Sequence, residues 1–347
     1  MSEKSSTNKP LRVENIRKVE LHRHLELSIR HSTIRELAPL FGIEIPNDKV
    51  FAERFLIDQP MNDLGSVLNK FLDTQLLLSS EETLERIAYE ACVDAFKEGV
   101  LILELRYAPT FIRYRHDHLS FDKIHLAIVR GVERAEKDFP IAVGLTCIIQ
   151  RILPVKEAEK VTEFAIEHRN TFISLDLADN EEGFDSKPFS PFFMKAKKAG
   201  LGITVHAGEI NTPKAPTYVK DAVEFLGATR IGHGVQVYRD PAMIEYVKKH
   251  NLTLELCPTS NYLTQAIPGT IEDHPFRQLY YAGIRTTINT DDPGIFNTDM
   301  NKEYLILRDK FNFRAAEFEK CNDYAASASF ISLEKKQSVW PREILQI

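Results

Sequence analysis

His22 and His24 stand two residues apart in VELHRHLE, a run rich in apolar residues. On a strand that spacing sends both rings to the same face. A single inward histidine is usually a hydrogen-bonded core residue, whereas two in register at the open end of a strand form a metal-ligand pattern. His206 in TVHAGE and Asp291 in NTDDPGIF end other apolar runs. Together the four make a nitrogen and oxygen set suited to one zinc ion, with a position left for water. Asp291 and Asp292 also pose a charge problem, because adjacent carboxylates at the end of a buried strand repel and lose hydration. Asp-Asp-Pro-Gly is good turn chemistry as well, but a metal at Asp291 would neutralise one of the two charges.

Three further groups complete a reactive set. Glu209 follows His206 in HAGE, where a strand-end turn can aim it into a pocket; a helix N-terminal acid is the plainer reading. His233 lies between Gly232 and Gly234 in RIGHG, and glycines there permit close approach of a ligand to the backbone; the plainer reading is a buried structural histidine. Asp292 precedes Pro293, which biases it toward an extended conformation and a direction different from that of Asp291. An acid, a base and a hydrogen-bonding carboxylate around an activated water suit hydrolytic attack on an electron-poor carbon.

These residues need a scaffold that gathers strand ends. Eight short apolar runs recur, at 19–25, 100–109, 141–149, 171–179, 201–209, 229–237, 252–261 and 284–293. Most gaps from the second run onward suit one helix, as in PVKEAEKVTEFAIEHRN and DPAMIEYVKKHN. Eightfold alternation of strand and helix predicts an α/β fold, a parallel (β/α)₈ TIM barrel, whose active sites form at the C-terminal ends of the strands. The first gap, from about 29 to 99, holds several helical patterns and predicts extra helices after the first strand that cap the mouth. Within the same fold class a two-metal hydrolase would commonly place a bridging lysine at the end of the fourth strand; FISLDLAD has none, which favours one metal.

The composition fits this. The chain has 347 residues, 43% hydrophobic and 27% charged, and a net charge of −6, which gives no basic footprint for nucleic acid or an anionic membrane. The four cysteines are scattered without a CxxC pair, so neither a disulfide framework nor a thiolate zinc site is expected. No run is long enough to span a bilayer and MSEKSSTNKP lacks a signal-like apolar region. The expectation is a cytoplasmic monomer: a disordered polar tail over 1–12, then one barrel domain over 13–347.

VELHRHLE, LDLADNE, TVHAGE, RIGHG, LELCPTSN and NTDDPGIF, in that order, resemble the adenosine deaminase family, and the resemblance runs from about residue 16 to the C-terminus. It implies a mononuclear zinc barrel that replaces the 6-amino group of a purine nucleoside, most simply adenosine or 2′-deoxyadenosine, with oxygen. By matching position, His22, His24, His206 and Asp291 would hold the zinc. Glu209 would protonate ring N1, His233 would orient or deprotonate the attacking water, and Asp292 would hydrogen-bond N7. Two motifs depart from the family pattern. HLEL stands where many members read HLDG, so Glu26 replaces an aspartate that contacts the ribose and Leu27 replaces a glycine. LADNE stands where LAGDE is common, so Asp179 replaces a glycine whose N–H contacts purine N3. Glu26 and Asp179 are therefore the expected sugar-side residues. Free adenine, or a modified or 5′-substituted adenosine, remains an alternative substrate, and a catalytically silent binding protein is the alternative of another class. Arg23 is expected to point toward the helix layer, His116 and His118 to lie in an exposed loop rather than a second metal site, and Cys257 to pack beneath the pocket.

Overall fold

Eight strands run parallel and pair in chain order: β1 Lys18–His24, β2 Val100–Tyr107, β3 Ala142–Gln150, β4 Phe172–Ala178, β5 Gly202–Ala207, β6 Arg230–His233, β7 Thr253–Leu256 and β8 Arg285–Ile288. The computed structural model describes residues 11–61 and 64–344. Each expected run contains a strand, and the surplus residues at the C-terminal end of each run are the loops that build the mouth. The architecture is a (β/α)₈ TIM barrel.

The seam between β8 and β1 is unlike the others. Only one backbone bridge closes it, between Arg23 and Asp291, with Asp291 N–H donating to His22 O at 3.0 Å and His24 N–H to Asp291 O at 2.9 Å. Below that bridge, side chains replace the ladder. Leu21 N–H donates to Asn289 Oδ1 at 3.0 Å and Val19 N–H to Asn322 Oδ1 at 3.0 Å. Asn289 Nδ2 in turn donates to Leu256 O, and Glu20 accepts from the N–H and hydroxyl of Thr290. Buried N–H groups must find acceptors, and here amide and carboxylate side chains supply them.

Helices follow the strands as the alternation predicts, among them Phe121–Asp138 after β2, Val155–Glu167 after β3 and Pro241–Lys249 after β6. Their starts are capped chemically: Ser80, Ser120 and Asp299 each accept a hydrogen bond from the N–H three residues on. Gly131 lets the Phe121–Asp138 helix cross Glu81–Lys97 closely, since a Cβ there would lie 2.3 Å from Glu85 O.

The long first gap contains helices His31–Leu37, Asp48–Phe55, Leu64–Leu76 and Glu81–Lys97. The last of these packs on β2 and on the Phe121–Asp138 helix, so it belongs to the outer ring. The earlier ones form the cap. Ile57 N–H reaches Ile295 O and Met61 N–H reaches Leu263 O, both at 2.8 Å. Leu27, Ile57, Leu263, Ile295 and Phe296 form an apolar cluster of their own. Leu27 thus packs within the cap and also lines the main cavity.

Two expectations need correction. Leu11 and Arg12 were expected in a disordered tail, yet Leu11 packs on the core and its carbonyl accepts from Arg308; the expectation for 1–10 falls outside the described residues. His116 is buried with its Nε2 on Gln75 O at 3.2 Å, while His118 is exposed on Ser79 O at 2.8 Å. The two rings serve backbone carbonyls and form no second metal site. Arg23 does reach the helix layer, but it is buried there between Glu20 and Glu98. Among the described residues no helix is long and apolar enough to cross a membrane.

Replacing Asn289 by Ala leaves the Leu21 N–H without an acceptor in the seam. The expected cost is about 1–3 kcal/mol, seen as a lower denaturant midpoint at unchanged slope; an unchanged midpoint would contradict the seam's role.

Candidate active site

The barrel interior is charged where such barrels are usually filled by branched apolar side chains. Glu104 and Arg106 on β2, Asp176 on β4, Arg230 on β6 and Glu255 on β7 are all buried. Arg106 contacts Asp176 Oδ2 and Glu255 Oε2, each at 2.7 Å. Arg230 contacts Glu255 Oε1 at 2.7 Å and Glu104 Oε2 at 2.6 Å. Burial works against the charge of Asp176 and Glu255. Neighbouring groups outweigh it, chiefly the contacts of His206 and Arg106 for Asp176 and of the two arginines for Glu255, and hold both carboxyls below their ordinary range.

These carboxylates orient the histidines above them. His22 Nδ1 donates to Glu255 Oε2 at 2.8 Å and His206 Nδ1 meets Asp176 at 3.0 Å. Each ring is left with a bare Nε2 facing the mouth, the arrangement in which a carboxylate fixes tautomer and raises ligand basicity. His24 Nε2 lies 3.3 Å from His206 Nε2 and 3.3 Å from Asp291 Oδ1; His22 Nε2 lies 3.4 Å from the same oxygen. Tetrahedral ligands about 2.0–2.1 Å from zinc stand roughly 3.3–3.4 Å apart, so these separations fit one ion. His22 Nε2 is buried and has no protein partner. Two overlapping groups could hold a metal, His22, His206, His233 and Asp291 in one and His24, Asp291 and Asp292 in the other, and they share Asp291.

His233 comes as close as the others: its ring nitrogen shares a span of 4.8 Å with those of His22, His206 and Asp291. It approaches Asp291 Oδ2, at 3.8 Å, and Glu209 Oε2, at 3.6 Å. Ser260 donates to that same Oδ2 at 2.7 Å. The Asp291 carboxylate thus divides the site, with Oδ1 toward His22 and His24 and Oδ2 toward His233. Gly232 and Gly234 serve the protein rather than a ligand. A Cβ on Gly232 would meet His22 Cε1 at 3.0 Å, and one on Gly234 would meet Leu254 at 2.7 Å.

Glu209 is aimed by a residue whose role the sequence reading left unassigned. Glu181, buried, accepts the N–H groups of Gly208, Glu209 and Ile210 at 2.7–2.8 Å, and Gly208 turns at φ +70°. Glu209 keeps 31% of its side chain open to the cavity, yet burial of its carboxyl, then the charges of Asp291 and Glu181, raise it well above the ordinary range. Asp292 is raised too, by burial and then by Asp291, and its Oδ1 has no partner. Glu26 accepts from Ala108 N–H through Oε1; its Oε2 is unpartnered, and burial raises the carboxyl to about 8. His24, Glu26, Asp179, Glu209 and Asp292 all line one cavity of about 820 Å³. A smaller cleft of about 530 Å³ between the 11–17 segment and residues 315–342 contains no histidine or cysteine, so the chemistry lies in the larger one. Cys257 is buried with its thiol pushed up by burial and is unreactive packing.

The mouth of the barrel thus gathers histidines and carboxylates that could hold a metal, with Glu209 in the adjoining cavity. Residues 17–343 match the family model described as adenosine deaminase, and the chain belongs to that family. It is 33% identical over 332 residues to an adenosine deaminase of Plasmodium gallinaceum, covering 93% of this chain and 89% of that one. Among solved structures it resembles the N6-mAMP deaminase of Arabidopsis, with TM-score 0.82, 28% identity and 94% and 97% of the two chains covered. An adenine deaminase of Arthrobacter aurescens shares the fold at TM-score 0.82 and 24% identity, over 93% and 96%. The chain is an aminohydrolase acting on a purine C–N bond.

Asp176→Asn should weaken metal binding about 10–100-fold, because the amide cannot hold the His206 Nδ1–H and the Arg106 guanidinium as the carboxylate does. Competition with a chromophoric chelator measures this; unchanged affinity would show that Asp176 serves only the core.

Proposed function

We propose that this chain hydrolyses the 6-amino group of a purine nucleoside, adenosine first among them, yielding the 6-oxopurine and ammonia, with one zinc ion held by His22, His24, His206 and Asp291. The observation that carries the reading is a set of three buried polar atoms without partners in the protein, His22 Nε2, Asp292 Oδ1 and Glu26 Oε2. The first belongs to the histidine–aspartate cluster and the other two residues line the cavity. Buried polar atoms are costly unless satisfied, so the group recognised carries a metal-side end, a ring-nitrogen edge and a polar far end.

Zinc held there would supply a water activated as nucleophile near neutral pH. Glu209, whose carboxyl is raised by burial and by the charges of Asp291 and Glu181, would give a proton to ring N1 and make C6 electrophilic. His233 takes a proton from the attacking water at Nε2. That role places the Asn261 oxygen on His233 Nδ1–H and the Asn261 amide nitrogen on His274, an exchange of the two ends of an amide that already bridges both rings, at 3.0 and 3.1 Å. Asp292 holds N7 and so orients the ring. The water oxygen would bond to C6, His233 would pass its proton to the 6-amino nitrogen, the C6–N bond would break with loss of ammonia, and the remaining proton on the C6 oxygen would return to Glu209. Glu26 meets the sugar end.

The acidic lining favours an uncharged nucleoside over a nucleotide. Product formation followed by ultraviolet absorbance for adenosine, adenine and N6-methyl-AMP tests this, with adenosine expected to have the highest kcat/KM; either of the others outrunning it would refute the nucleoside reading. Glu209→Gln should keep the metal and lower kcat by ~10²–10⁴-fold, and near-normal turnover would reduce Glu209 to a turn residue.

A further inference from the structure

Asp179 occupies a conformation that few side chains accept. It lies just beyond β4 at φ +84°, in the left-handed region that favours glycine. Strained positions of this kind collect at ligand clamps. Its carboxylate is also steered. Gln150, at the end of β3, donates from Nε2 to Asp179 Oδ2 at 3.0 Å, and Thr110, beyond β2, donates to Gln150 Oε1 at 2.7 Å. All three residues line the main cavity, so a hydrogen-bonded chain crosses three successive strand tops and ends on an acceptor. Asn180 N–H caps the other oxygen at 2.9 Å, which leaves both oxygens lone pairs to offer. Around it the lining is acidic: Glu26, Glu181, Glu182 and Glu209 share the cavity, and none of its described lining residues is lysine or arginine.

We propose that Asp179, positioned by Gln150 and Thr110, is a specificity-determining residue that accepts a sugar hydroxyl of an unphosphorylated nucleoside and repels a substrate phosphate. The proposal rests on the reading of the site as a nucleoside deaminase and names what its far end selects. A hydroxyl donor satisfies the carboxylate, whereas a phosphate brings like charge into a cavity whose described lining residues include several carboxylates and no lysine or arginine. The cost of keeping an aspartate at a glycine-like position is then offset by discrimination rather than by stability.

Two variants separate this from a purely local turn role. Asp179→Gly relieves the backbone and is expected to fold at least as stably; Asp179→Asn keeps the shape and loses the charge. With kcat/KM measured for adenosine, 2′-deoxyadenosine, 3′-deoxyadenosine and AMP, the wild type should prefer adenosine over one of the deoxy analogues. In Asp179→Gly that preference should fall about tenfold or more, and in both variants AMP should gain about tenfold relative to adenosine. Ratios unchanged within twofold in both variants would overturn the proposal. Titration calorimetry of inosine and inosine monophosphate against wild type and Asp179→Gly reads the same selection without turnover. A shift in that binding ratio with no deamination of any nucleoside would sink the reaction reading while upholding Asp179, and an unshifted ratio would overturn Asp179 alone.

Discussion

Glu255 is the residue on which the rest of this barrel depends. Its two oxygens accept from His22, Arg106, Arg230 and Thr204, so one buried carboxylate joins the His22 ring above it to Arg106 and Arg230 in the barrel interior. Around it two guanidiniums face three carboxylates, Glu104, Asp176 and Glu255. With Asp291 at the rim, the balance of charge beneath the mouth is negative, which favours a cation bound there. Removing one partner of such a buried set strands the others and costs about 3–5 kcal/mol. Stability and ligand geometry are therefore coupled: the contacts that satisfy the core also set which histidine nitrogens face the cavity.

The closing seam ties the same chemistry to the topology. Asp291 supplies the backbone bridge that joins β8 to β1 and a carboxylate between His22 and His233. It does so at φ +65°, and His233 sits at φ +59°. Both are conformations that an L-residue adopts at some cost. The paired aspartates are neither a simple turn nor two copies of one function. Asp291 closes the barrel and faces the histidines, while Asp292 turns its unpartnered oxygen to the cavity. The Glu181 carboxylate plays the matching part at β5, gathering three N–H groups so that the turn carrying Glu209 has one shape.

Much of this was readable in the chain because period-two spacing and strand-end position are local signals. HRH placed two rings on one face, the strand–helix alternation predicted the barrel, and the overlong first gap predicted its cap. The orienting residues were harder to assign. Asp176, Glu255 and Arg106 lie inside the runs LDLAD, LELCP and LELRY, where they read as charged interruptions of apolar strands. Their alternation with leucine was the available signal, since a charge on a strand's inward face demands a partner. Which charge meets which depends on strand stagger, and no local pattern carries that. The side-chain seam was likewise invisible, because Asn289 and Asn322 are far apart in sequence. The glycine-like backbone of Asp179 showed only as a departure from a family pattern. The burial of His116 beneath the cap was missed because its neighbours, Arg115 and Asp117, are polar.

The central claim is that the interior charge network presents one metal site and no more. Elemental analysis of the purified chain, before and after chelation and then during stepwise addition of zinc, tests it most directly. The account predicts one zinc per chain, activity lost with that zinc, and full recovery at one equivalent. Two metals per chain, or undiminished activity in the metal-free protein, would contradict it.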